Sequence, residues 1–161
     1  MIACSITETK AFMNRLLLSD YFDAFFLSEA DFVTFTTFHI DGTLQKGYYS
    51  SEELWEQQME HQTGVTWKQV RPFCLELIRG THTPLEFKIV LRLSPANVEK
   101  LLRQNALPLT PEDIHGLFLN LHFQNGALTC ITGASLAVFS LDKSLDHLWD
   151  ATVRKFLKEF I

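Results

Sequence analysis

Apolar and polar residues alternate along several parts of the chain with the two-residue period of β-strands. Every odd position from Leu85 to Leu93 is apolar, and most of the even positions are charged. From Gly116 to Gln124 the odd positions are again apolar and the even positions are largely polar. Both segments are therefore predicted to be half-buried strands with one face in water.

Two dipeptides mark hairpin turns. Asp41-Gly42 and Asn125-Gly126 tolerate the positive φ angles that tight turns need. The segment Phe32–Ile40, before the first of them, has apolar residues at both parities, which predicts a central strand covered on both sides. Further strands are predicted at Thr43–Tyr48, Ala127–Thr132 and Ser135–Leu141.

Helical spacing is clearest in Ser144–Phe160, where apolar residues recur on one helical face. Ser94 followed by Pro95 is a strong helix start, and this helix should end near Gln104. Thr7–Leu18 predicts an N-terminal helix. Glu52–Gln62 is polar and helix-prone, with Trp55 and Met59 as candidate anchors on one face.

The segment Arg71–Arg79 fits two structures. Phe73, Leu75 and Leu77 alternate as in a strand, whereas Cys74 joins Phe73 and Leu77 in a helical stripe. We favour a strand here, because the residues from 80 to 84 would then form a compact hairpin connection.

These elements predict a single α+β domain over residues 1–161. We expect a curved, largely antiparallel sheet of six or seven strands, packed by the amphipathic C-terminal helix and the N-terminal helix. A composition of 47% hydrophobic and 20% charged residues is sufficient for a sizeable core.

Charge and cysteine content narrow the class of protein. The net charge of −5 is modest and spread along the chain, which argues against a protein built to grip phosphate backbones. The three cysteines are far apart, so we expect free thiols and a reducing compartment. The N-terminus does not resemble a signal peptide, and no apolar run is long enough to span a bilayer. We therefore expect a cytoplasmic protein.

Common catalytic and cofactor-binding motifs are absent from the sequence. There is no phosphate-binding loop, no dinucleotide-binding glycine motif and no nucleophile elbow. His39 and Asp41 are close in sequence, but they would need a third ligand to hold a metal. No metal and no cofactor are predicted.

One constellation of polar residues depends on the strand prediction. If Leu85–Leu93 and Gly116–Gln124 share a sheet, their polar faces bring together one group of side chains, with Glu76 and Glu86 as possible additions. The candidate ligand-binding residues are Lys88, Arg92, Asn120, His122 and Gln124. Such a surface can hold a small anion, and His122 is a candidate acid or base. The alternative is the ordinary solvated face of an amphipathic sheet.

Aromatic residues raise two further possibilities. Fourteen phenylalanines are present, several of them between Phe22 and Phe38, and they fit either a Phe-rich core or an exposed patch for a partner. The stretch from Trp67 to Arg92 is the most basic part of the chain, as in proteins that bind single-stranded nucleic acid. Phe73 and Phe87 fall on the apolar parity, however, which places them in the core.

Four segments resemble a known family. They are Phe35–Gly42, Trp67–Phe73, Arg79–Pro84 and Ser94–Leu102. The chain resembles a bacterial family of short single-domain proteins of unknown function. The resemblance implies a free-standing cytoplasmic protein and carries no activity or site residue.

For function, the sequence favours a non-catalytic interaction or small-ligand-binding protein, with an unidentified protein partner or a second copy as possible partners. An exposed group of aromatic rings, including Tyr48 and Tyr49, would support this hypothesis. One alternative is a small hydrolase or transferase that uses His122 with Lys88 or Arg92. Another is a weak nucleic-acid binder, which a mobility-shift assay at low salt would test.

Overall fold

A single open sheet organises the chain, as described by a computed structural model of residues 1–161. Its six strands follow the order β1-β6-β5-β4-β2-β3, and every neighbouring pair is antiparallel. The strands are β1 (Ala3–Ile6), β2 (Phe25–Val33), β3 (Thr37–Asp41), β4 (Glu86–Leu93), β5 (Ile114–Gln124) and β6 (Ala127–Leu136). The predicted α+β class with a six- or seven-stranded antiparallel sheet is confirmed.

Five helices accompany the sheet. They are α1 (Thr9–Leu18), α2 (Ser51–Glu56), α3 (Trp67–Ile78), α4 (Pro95–Gln104) and α5 (Ser144–Phe156). Short 3₁₀ turns lie at Lys46–Tyr48 and Pro111–Asp113. None of the helices combines the length and the apolar character needed to cross a membrane.

The core lies on one face of the sheet. Alternate residues of the two central strands are buried there, such as Ile89 in β4 and Leu119 in β5. Phe12 of α1, Trp67 of α3 and Trp149 of α5 belong to the same buried cluster. The N-terminal and C-terminal helices thus pack on the sheet as predicted, and the opposite face is left without a helix. We call that opposite side the open face.

The prediction of a strand at Arg71–Arg79 was wrong, because this segment belongs to α3. Thr66 caps the helix: its side chain accepts a hydrogen bond from the Gln69 amide, and the Gln69 side chain accepts one from the Thr66 amide. Trp67 and Cys74 are the buried residues of the helix, seven positions apart and therefore on one face. Residues 80–84 consequently join a helix to a strand and do not form a hairpin.

Phe32–Ile40 is also not one central strand. The chain reverses at Thr34–Thr36, so β2 and β3 form a hairpin and β3 lies at the edge of the sheet. The amide and the hydroxyl of Thr34 both donate to the Thr36 carbonyl, at 2.8 and 2.9 Å. Threonine hydroxyl bonds thus supply a turn without the glycine or asparagine that usually signals one.

The predicted turn at Asp41-Gly42 and the strand at Thr43–Tyr48 were wrong as well. Gly42 donates its amide to the Ser28 carbonyl at 2.8 Å, beside a bulge in β2. A Cβ atom at this position would lie 1.9 Å from the Leu27 carbonyl oxygen. Glycine is therefore required here by close backbone contact.

After Gly42 the helix predicted at Glu52–Gln62 is present only as α2, which ends at Glu56. Met59 is buried, as an anchor would be. Trp55 is 69% exposed and does not anchor the segment.

The C-terminal half follows its local signals closely. Asn125 and Gly126 have φ angles of 54° and 75° and connect β5 to β6, which confirms the predicted hairpin. The strand predicted at Ser135–Leu141 was wrong, because β6 runs on to Leu136 and the chain then leads to α5. Strand β1 was not predicted from the sequence. It has only four residues and pairs with β6.

Gly42→Ala should destabilise the protein by about 2–3 kcal/mol, because the new methyl group overlaps the Leu27 carbonyl. Gly47→Ala is the matched control, since nothing lies within 4 Å of a Cβ atom there. Urea unfolding of both variants measures the difference. Equal midpoints would show that the chain at Gly42 does not approach β2 in this way.

Candidate functional site

The open face carries the polar residues that the sequence singled out. In the pairing of β4 with β5, Lys88 lies directly opposite His122 and Val90 lies opposite Asn120. Glu86 lies opposite Gln124, and Arg92 lies opposite Phe118. All five candidate residues therefore share one face of the sheet, as the strand parity predicts.

Glu86 links two of these residues. One of its carboxylate oxygens lies 2.8 Å from Nε2 of His122 and 3.9 Å from Nζ of Lys88. The carboxylate offsets the positive charge that the sequence suggested for this surface. Glu76, the other possible addition, lies on α3 and therefore on the core side of the sheet.

The remaining candidates lie apart from this group. The Arg92 guanidinium stacks over the Phe26 ring, 5.5 Å from its centroid. The Asn120 amide donates to the Ile131 carbonyl at 3.1 Å, and Gln124 is exposed at the end of its strand. The structure thus brings Lys88 and His122 together around Glu86 and leaves Arg92, Asn120 and Gln124 with other partners or in solvent.

A second histidine–carboxylate pair lies on the same face. Nδ1 of His39 is 2.6 Å from a carboxylate oxygen of Asp31, its direct neighbour across β2 and β3. This hydrogen bond and the negative charge of Asp31 raise the pKa of His39 above its usual value. The sequence paired His39 with Asp41, because the turn that brings Asp31 opposite His39 was not recognised.

Neither pair extends into a metal site or a thiol site. No group of three His, Cys, Asp or Glu side chains is placed to hold a metal ion. Cys4, Cys74 and Cys130 are free and buried. Burial raises the pKa of the Cys74 thiol to about 12 and also raises the pKa of Cys130, so both remain protonated near neutral pH.

The basic middle section does not form one surface. Arg71 is bound to Asp23 at 2.7 Å and to the Ser19 carbonyl, so its charge supports the fold. Phe87 is buried as expected, but Phe73 is 68% exposed on α3. The prediction that Phe73 lies in the core was wrong, because it assumed a strand.

Half of the six phenylalanine rings from Phe22 to Phe38 are buried in the core. Phe22, Phe25 and Phe32 are buried, whereas Phe35 at the β2–β3 turn is 92% exposed. Tyr48 is exposed and contacts Tyr49 edge to face. The stretch therefore serves the core, and a few rings remain available to a partner.

The sequence did not predict a concavity on the core side of the sheet. It is a cleft of about 250 Å³ between α4 and α5, and we call it the α4–α5 cleft. Its floor is formed by Phe25 of β2 and Leu93 of β4, which are directly paired in the sheet, together with Ala24.

Each wall of the cleft is one stripe of a helix. The α4 wall presents Asn97, Lys100, Leu101 and Gln104, and the α5 wall presents Trp149, Thr152, Val153 and Phe156. Both sets have the spacing of one helical face. The sequence predicts both helices, but nothing in it shows that these two stripes face each other.

The fold defines the class of this protein, an α+β protein with one open antiparallel sheet. The chain belongs to a family of unknown function, DUF5721, whose family model matches residues 15–160. The expected membership of an uncharacterised single-domain family is confirmed. No curated protein and no solved structure matches the chain.

Asp31→Asn should lower the pKa of His39 toward the ordinary value of 6.5, because it removes the hydrogen bond and charge that raise it. A raised pKa in the folded state means that the pair stabilises the fold fully below pH 6.5. This contribution is lost as the pH rises through the pKa of folded His39. Histidine ring signals followed by NMR across pH give the pKa in both proteins. An unchanged His39 titration in Asp31→Asn would contradict the pairing.

Proposed function

We propose that this chain is a non-catalytic binding protein, and that the α4–α5 cleft takes a small molecule with an apolar body and an anionic end. The observation that carries the proposal is an apolar floor and a largely apolar α5 wall that face a largely polar stripe of α4. Small-molecule sites have this composition, in which apolar surface provides affinity and a few polar groups fix orientation.

The apolar part of the cleft supports an apolar ligand body. Phe25, Trp149 and Val153 are at most 3% exposed, so the floor and one wall are rigid parts of the core. The Trp149 indole donates to the Phe118 carbonyl at 2.9 Å, which fixes the ring against the sheet. A cavity of about 150 Å³ accommodates benzene. A cleft of 250 Å³ has room for an octanoate-sized molecule.

The rim supports an anionic end. Lys100 is the one charged residue that lines the cleft, and Asn97 and Gln104 lie on the same stripe of α4. The Asn97 amide is held by Ser94, to whose hydroxyl it donates at 2.7 Å. A carboxylate placed beside Lys100 would meet its ammonium group while the apolar body of the ligand rests on the apolar floor.

The first experiment compares three probes that share one body. Isothermal titration calorimetry with octanoate, octanol and octylammonium should give the tightest binding for octanoate and the weakest for octylammonium. Native mass spectrometry of gently purified protein shows in addition whether a ligand is retained. Equal affinity for the three probes would show that Lys100 does not bind the anionic end. If none of the probes binds, the proposed ligand site is wrong.

Two substitutions separate the two ends of the site. Lys100→Met should weaken octanoate binding roughly threefold, the effect of one exposed ion pair, and leave octanol unchanged. Leu101→Trp should abolish binding of both probes, because the indole fills the cleft. Lys68→Met on α3 and Leu18→Trp on α1 change exposed residues outside the cleft and serve as controls. If Leu101→Trp binds both probes normally, the ligand lies elsewhere.

The open face supports a second candidate function, a small hydrolase or transferase that uses His122 as a general base. The specific observation is the contact with Glu86, since a carboxylate on one ring nitrogen orients the histidine ring. Lys88 lies directly opposite His122 and is available to a developing negative charge.

Hydrolysis of p-nitrophenyl acetate tests this second candidate. His122→Asn should reduce the rate roughly a hundredfold if the imidazole acts as base. His147→Asn, at an exposed histidine of α5, is the control. Equal rates in the two variants would exclude His122 as the base for this ester.

A further inference from the structure

The outer edge of β3 carries unpaired backbone groups. Gly42 donates to the Ser28 carbonyl and Thr34 donates to the Thr36 carbonyl, and both bonds fall in the register of the β2–β3 pairing. Antiparallel pairs alternate between bonded and non-bonded positions. Phe38 and Ile40 therefore bond to β2, and the amides and carbonyls of Thr37, His39 and Asp41 point outward.

Three common blocks to strand addition are absent from this edge. Exposed edges are commonly blocked by proline, by lysine or by a bulge. The five residues of β3 include neither proline nor lysine, and their pairing with β2 has no register shift. Since β3 ends the strand order, the sheet offers no seventh strand of its own at this side.

The two sides of the edge differ in chemistry. On the open face, Glu29, Asp31 and Asp41 surround His39, so carboxylates outnumber the imidazole. On the core side, Phe38 lines a concavity of about 690 Å³ between the β2–β3 hairpin and the C-terminal end of α3. Leu77 of α3 and the exposed Phe35 also line it.

We propose that β3 binds an extended segment of a partner protein as a seventh strand, in which basic and apolar side chains alternate. In a strand, successive side chains point to opposite faces. The basic side chains would meet the carboxylates of the open face, and the apolar side chains would lie beside Phe38 on the core side. Backbone bonds to Thr37, His39 and Asp41 would supply affinity, as in other cases of strand addition.

The test uses a capped peptide that alternates lysine and valine. It should bind one to one, more weakly as salt rises, with NMR shift changes confined to β3 and the adjoining end of α3. The amides of Thr37, His39 and Asp41 should become protected from hydrogen exchange. A peptide that alternates glutamate and valine should not bind. Failure of the lysine–valine peptide, or shift changes elsewhere, would overturn the proposal.

N-methylation separates strand addition from charge attraction. Methyl groups on the peptide amides that face β3 remove those donors and should abolish binding. The same number of methyl groups on the opposite amides leaves the bonds to β3 intact and should preserve it. Equal binding of the two methylated peptides would show that charge alone holds the peptide, which would also overturn the proposal.

Two variants of His39 provide the matched protein test. His39→Pro removes an outward amide and blocks an added strand, yet spares the bonds to β2. It should weaken binding roughly tenfold relative to His39→Ala, which keeps the backbone donor. If His39→Pro does not fold, the methylated peptides still decide the question.

Analytical ultracentrifugation of the protein alone tests whether a second copy of the chain, rather than a partner protein, binds the edge of β3. If wild-type protein dimerises and His39→Pro does not, the edge pairs with a second copy of the chain. That outcome would overturn the assignment of a partner peptide.

Discussion

The structure depends on the burial of only one face of a six-stranded sheet. Successive side chains of a strand point to opposite faces of the sheet. One row of side chains in each strand must therefore be apolar and packed in the core, and the other row must be compatible with water. Ile89 and Leu119 belong to the buried row, and Lys88 and Asn120 belong to the other. The helices, the polar pairs and the exposed edge all take their positions from this division.

One-sided packing also explains how the two histidine–carboxylate pairs are built. Glu86 and His122, like Asp31 and His39, meet across neighbouring strands on the face that no helix covers. Each pair is accessible to water, so its charge is tolerated without the desolvation that burial would impose. The same open face leaves room for a ligand or partner to approach these groups.

The sequence predicts those elements whose signals are local. The Asn125-Gly126 turn, the Ser94 helix cap and the long amphipathic stripe of α5 each lie within a few residues of the structure they specify. The reversal at Thr34–Thr36 was not predicted, because its turn is held by a threonine hydroxyl bond and carries no glycine or asparagine.

Other features depend on tertiary contacts and could not be predicted in this way. The helix that contains Phe73 and Cys74 is not one of them, because the capping box of Thr66 and Gln69 is a local signal that the strand prediction overlooked. Among the site residues, strand parity placed all five candidates on one face. It offered both Glu76 and Glu86 as additions and could not choose between them, because cross-strand partners depend on register. The α4–α5 cleft is still harder to predict from local sequence, since it is formed by two helices about 50 residues apart in the chain.

The close approach of Gly42 to β2 has a consequence for how the chain can change. The Val65 amide donates to the Gly42 carbonyl at 3.0 Å, and the Val65 carbonyl accepts from the Leu27 amide at 2.8 Å. The segment from Gly42 to Val65 therefore begins and ends beside the same residue of β2. Apart from the buried Met59 and the Gln62–Gln69 hydrogen bond, its length therefore enters the free energy of the fold mainly through loop closure, which grows slowly with the number of residues. The exposed residues of this segment thus form an exchangeable module, which can be lengthened, shortened or replaced while Met59 and the sheet stay as they are.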